Sequence, residues 1–178
     1  ENLLGAGDML FLSAEMPIGS PLEALKAQSV VARSHALYIK LVTRRHAKEG
    51  YQVCDGQHCQ VYAGVTAETE RSRAVVEATR GRVVAYKGRV AHVLYSSNCG
   101  GHTQSGAEVS GWGKVPYWRG FAETLPDADG RLRPYPRSPW ELRGWLASTP
   151  PAYCMPTPAG HVHPPHHRWS RVLAAKDL

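Results

Sequence analysis

Cys54, His58 and Cys59 fall within six consecutive residues, and their thiolates and imidazole are donors that zinc prefers. A tetrahedral site needs a fourth donor, and His46, Cys99 and His102 are the candidates. The same spacing suits a short-loop disulfide between Cys54 and Cys59, or a buried free thiol. Glu23 carries a different chemistry. A carboxyl in the first turn of a helix, on the wall of a groove, can protonate a leaving oxygen. It equally completes a capping box with Ser20 and pairs with Lys26, which is a purely structural use.

A third group is the run from Ser96 to Thr103, centred on Gly100 and Gly101. Paired glycines let a backbone approach a ligand closely. Cys99 and His102 in that run could act as nucleophile and base, although a Cys99–Cys154 disulfide is the preferred structural alternative. Trp112, Tyr117 and Trp118 follow, flat rings suited to stacking on sugars or to packing in a small core.

These groups need elements to hold them. Ser20 suits a helix cap and Pro21 the first helical position, with no further proline or glycine until Gly50. A long central helix is therefore expected from Leu22 to about Lys48, ending in the basic run Arg44-Arg45-His46. Gln28, Arg33 and His35 interrupt its apolar positions, so they should face a cleft or a polar network. The segment from Leu3 to Glu15 reads as a short helix or extended lead, and the turn after it would bring Glu15 near Glu23. A second helix is expected over 67–79, with Thr66 or Thr69 near its start and Gly81 at its end. Two strands at hairpin spacing follow, 82–86 and 89–95, joined by Lys87-Gly88. Residues 105–137 read as ordered loops, and 139–147 as a short helix. Among the prolines of the tail, His161, His163, His166 and His167 read as a solvated loop, and a further strand is expected from Trp169.

The expected class is α+β: a long helix packed on a small antiparallel hairpin, with extensive ordered loops, in a single domain over 1–178. A net charge of +6 with dispersed cations argues against nucleic acid as the partner. No apolar run is long enough to span a bilayer.

Taken together, three ordered blocks resemble the SpoIID/LytB family of bacterial cell-wall proteins. They are Glu15-Met16-Pro17 with 21–28 and Ala32-Arg33-Ser34; then 54–62; then Thr79-Arg80-Gly81, Tyr86-Lys87-Gly88 and 96–103. The similarity runs from about residue 8 to 125. The resemblance implies a lytic transglycosylase that cuts glycan strands stripped of stem peptides, leaving 1,6-anhydro-N-acetylmuramic acid ends, with Glu23 as the catalytic residue. Glu15, Gln28, Arg33, Ser96, Gly100, Gly101 and His102 are the expected substrate contacts. No cofactor is required for that chemistry, while a structural zinc on Cys54, His58 and Cys59 fits what is known of some members. An extracytoplasmic place in the cell envelope is implied, with peptidoglycan and an amidase as partners. The family's usual G-H-G-x-G-x-S/C-Q block is absent, so the C-terminal segment of the family is expected to be missing. That departure favours the alternative, a non-catalytic wall-binding module that modulates an N-acetylmuramoyl-L-alanine amidase.

Overall fold

Pro21 sets where the longest helix begins. In the computed structural model, which describes residues 16–61, 63–123, 128–131, 136, 138–148 and 151–155, helix α1 spans Leu22–Tyr38. Pro21 is its cap residue (φ −52°, ψ 141°), and Ser20 stands outside the helix. The expected capping box does not form: the Ser20 amide that Glu23 would take closes a turn onto Pro17 O instead (2.9 Å). The Ser20 carbonyl accepts from Arg71 Nη2 (2.8 Å).

The far end also differs from expectation. Past Tyr38 the helix widens into a π-type turn, Ile39–Thr43, and stops there rather than at Lys48. Arg44 takes a left-handed conformation (φ 47°, ψ 41°), and its amide closes the last turn onto Ile39 O at 2.8 Å. Glycine is the residue that usually ends a helix in this way.

Helix α2, Glu70–Ala78, is shorter than the expected 67–79; of Thr66 and Thr69, the two residues expected near its start, Thr69 caps it, exchanging side-chain and backbone bonds with Ser72. It runs parallel to α1: Ser20 meets Arg71, Leu25 packs on Val75, and Ser29 bonds Thr79. Leu25 and Val75 are wholly buried, with Met16 and Ile18 against them. Strands β1 (Ala85–Tyr86) and β2 (Arg89–Val90) pair antiparallel around Lys87-Gly88. Both turn residues have positive φ (49° and 75°), the type I′ geometry whose twist matches a hairpin. The strands are shorter than expected, and chain beyond Val90 is held by other means, such as the Tyr38 ring stacked on His92 at 4.3 Å.

Helix α3, Pro139–Ala147, falls where the sequence placed it, with a complete capping box between Ser138 and Glu141. With three α-helices among the described residues, one of them long, and a small antiparallel sheet, the fold class is α+β. The chain divides into two compact units, Glu1–Tyr95 and Ser96–Leu178. Among the described residues no helix is long and apolar enough to cross a membrane. The expected lead, Glu15, the tail histidines and the strand from Trp169 lie outside the described residues.

Candidate functional site

Glu23 stands on the first turn of α1 with its side chain 81% exposed. Its one described bond is to Lys26 Nζ, at 2.7 Å. Among the described residues, no backbone amide takes the carboxylate. An exposed ion pair at this spacing is worth roughly 0.3–0.5 kcal/mol, little enough for a ligand to displace.

The other candidates on α1 point inward. Arg33 is 1% exposed and forks onto Thr79 O (2.9 Å) and Arg82 O (2.8 Å), with longer contacts to Ser29 Oγ and Thr79 Oγ1 (both 3.4 Å). It clamps α1 to the C-terminal end of α2, where a cation also suits the helix dipole. The expectation that Arg33 contacts substrate is therefore corrected: its donors are spent inside the fold. Gln28 is 8% exposed, with its Nε2 unpaired among the described residues. Ser34 joins the same seam, donating to Val30 O (2.6 Å) and accepting from Val84 N–H (2.8 Å).

The basic end of α1 leads into the cysteine loop. His46, Cys54, His58 and Cys59 bring one donor atom each to within 4.8 Å of one another. His46 Nε2 lies 3.2 Å from Cys59 Sγ, and His58 Nδ1 lies 3.7 Å from Cys54 Sγ and 3.8 Å from Cys59 Sγ. A tetrahedral zinc with ordinary bond lengths sets sulfur–nitrogen edges of about 3.6 Å. The arrangement thus suits a Cys2His2 ion, and His46 is the fourth donor that the sequence left open. Neighbours orient the donors. Glu49 Oε2 sits 3.9 Å from the other His46 nitrogen, Tyr51 stacks on the His46 ring at 4.5 Å, and an Arg45 guanidinium N–H donates to His58 O. The Gly56 amide, then His58, draw the Cys54 thiol down to about 7, whereas burial pushes Cys59 up.

His35 links this loop to the rest of its unit, with Nε2 3.0 Å from Cys59 O and Nδ1 3.2 Å from Val93 O. Sequence reading placed His35 on a polar network without giving it this bridging part.

In the second unit the Ser96–Thr103 loop is braced from within. Asn98 Oδ1 accepts from Gly100 N–H (2.7 Å), and its amide donates to Cys154 O (2.9 Å). Gly100 and Gly101 both have positive φ (67° and 91°), and Gly101 is buried. Gly101 O accepts from Glu123 N–H, and His102 forms a β-bridge with Ala122. Burial lowers the His102 pKa, against smaller opposing effects of Thr103, Glu108 and Glu123. The Cys99 and Cys154 sulfurs stand 3.5 Å apart as thiols, and Cys99 donates to Glu123 Oε2 at 3.0 Å. Burial, and then that carboxylate, push Cys99 up to about 12, which weakens it as a nucleophile. Ser96 is exposed.

The family match lies within the first unit. Residues 10–86 match the SpoIID family, described as stage II sporulation protein. An uncharacterized protein of Brachyspira hyodysenteriae (strain ATCC 49526 / WA1) is 38% identical over 109 residues, 61% of this chain and 29% of that protein. The amidase enhancer of Bacillus subtilis (strain 168) is 39% identical over 104 residues, 58% of this chain and 13% of that protein. The matched stretch thus spans under a third of either relative. Over residues 10–86, less than half of its length, this chain is similar to the SpoIID family.

Proposed function

We propose that this chain acts on the bacterial cell wall as a lytic transglycosylase, cutting stem-peptide-free glycan strands to 1,6-anhydro-N-acetylmuramic acid ends. Its SpoIID-like segment and its similarity to an amidase enhancer support a role at the wall. The observation that carries the enzymatic reading is Glu23: a carboxyl on a helix rim, open to a ligand, with no backbone amide upon it among the described residues.

A sugar laid over this carboxyl excludes water and favours its protonated form. Glu23 then gives its proton to the glycosidic oxygen as the C1–O bond breaks. The resulting carboxylate takes the proton of the muramyl 6-hydroxyl while O6 bonds to C1. No water is consumed, so the second carboxylate of an ordinary glycosidase has no task here.

A zinc ion held by His46, Cys54, His58 and Cys59 would supply structure: four protein donors leave no open position for substrate. An extracytoplasmic location follows from the proposed substrate.

A second reading, a wall-binding module that modulates an amidase, is favoured by the exposed rings of the second unit. Trp112 (50% exposed), Trp140 (78%) and Tyr153 (69%) present faces able to stack on sugars. One experiment separates the two. Amidase-treated peptidoglycan is digested with the wild type and with Glu23→Gln, and products are read by mass spectrometry. Anhydro ends from the wild type alone support catalysis by Glu23. Retention of glycan with no new ends supports the binding module, and equal product from both proteins removes Glu23 from the mechanism.

A further inference from the structure

The end of α1 opposite Glu23 holds a pocket of about 340 Å³ in which Lys40 and Arg44 stand beside Tyr51, Gln52 and Leu41. Seventeen residues of helical rise put it roughly 25 Å from Glu23. We propose that this pocket is a binding site for a phosphoryl group carried on a small organic stem, separate from the glycan chemistry at Glu23.

Two observations carry the assignment. The lining includes two cations and no acidic side chain, so it complements a doubly charged oxyanion. The second is backbone cost. Arg44 ends the helix at φ 47°, where glycine is free of strain and arginine is not. An arginine held there against local preference adds a fork-shaped donor to the lining of the pocket, and such a fork matches phosphate oxygens two at a time.

The space decides the size of the ligand. It would hold about eleven waters, more than a bare phosphate needs, and Leu41 and the Tyr51 ring offer apolar walls for the stem. The Tyr51 ring stacks on His46 at 4.5 Å, a contact that holds that wall. A helix-end cation that only offsets terminal carbonyls would need neither the pocket nor the strained residue.

Isothermal titration with glycerol 3-phosphate, inorganic phosphate and succinate tests the proposal. Glycerol 3-phosphate should bind best, with succinate at least tenfold weaker. Arg44→Gly should lose at least tenfold in affinity for glycerol 3-phosphate while its melting temperature holds or rises, because the strained position is relieved. Lys48→Ala, which removes a cation outside the lining, should leave binding unchanged. Tighter binding of succinate, undiminished binding by Arg44→Gly, or an equal loss in Lys48→Ala would each overturn the proposal.

Discussion

Replacing Arg33 by methionine tests whether the polar seam of α1 is structural. The guanidinium gives up two charge-assisted bonds, to Thr79 O at 2.9 Å and to Arg82 O at 2.8 Å. Bonds of this kind are worth roughly 1.5–3 kcal/mol each, an upper sum of about 3–6 kcal/mol. Methionine spares the fold the desolvation of a buried cation, which offsets part of the loss. The acceptors suffer unequally: Thr79 O keeps the Arg82 amide at 3.1 Å, while Arg82 O has no other described donor. A net destabilisation of about 2–4 kcal/mol is therefore expected, read as a lower urea midpoint at unchanged slope. Arg33→Lys should recover less than half of it, since one ammonium cannot reproduce the fork. A change below about 0.5 kcal/mol, or weakened glycan binding at full stability, would refute the clamp and restore Arg33 as a ligand contact.

Two further outcomes follow from the same geometry. The purified protein should carry one zinc per chain by elemental analysis, and His46→Ala should lower that content and the melting temperature together; full occupancy in that variant would remove His46 from the donor set. The pKa of His92 is lowered from 6.5 by burial, then by His35 and Arg45, so the unfolded chain binds more protons than the folded one as pH drops through that region. Its contribution to stability is present above about pH 6.5 and is lost as pH falls through the lower folded value; His92→Phe, which keeps a ring for Tyr38, should flatten that part of the profile, and an unchanged acid limb would discount the effect.

Much of this arrangement was legible in local sequence. Thr69 and Ser138 announce α2 and α3, and Lys87-Gly88 announces the hairpin, because each signal acts within a few residues. What escaped depends on distant partners. Ser20 loses its capping box to a turn that takes its amide, and its carbonyl is held by Arg71, 51 residues away. The stop at Thr43 has no glycine to mark it, as the left-handed residue is Arg44. Cys54, His58 and Cys59 stood out by spacing, whereas His46 joins them only once the chain folds back. Arg33 has the polar setting its place in the helix suggested, but the sequence could not separate a cleft from an internal seam.

The buried face of α1 carries Gln28, Ser29, Arg33 and Ser34 as well as Leu25, Ala32 and Ala36. Greasy surfaces tolerate small sliding; a row of directional bonds does not. A slip of one turn would carry the guanidinium about 5.4 Å from its carbonyls. The helix is therefore indexed against α2 like a keyed shaft, and a ligand arriving at its rim meets an anvil rather than a hinge.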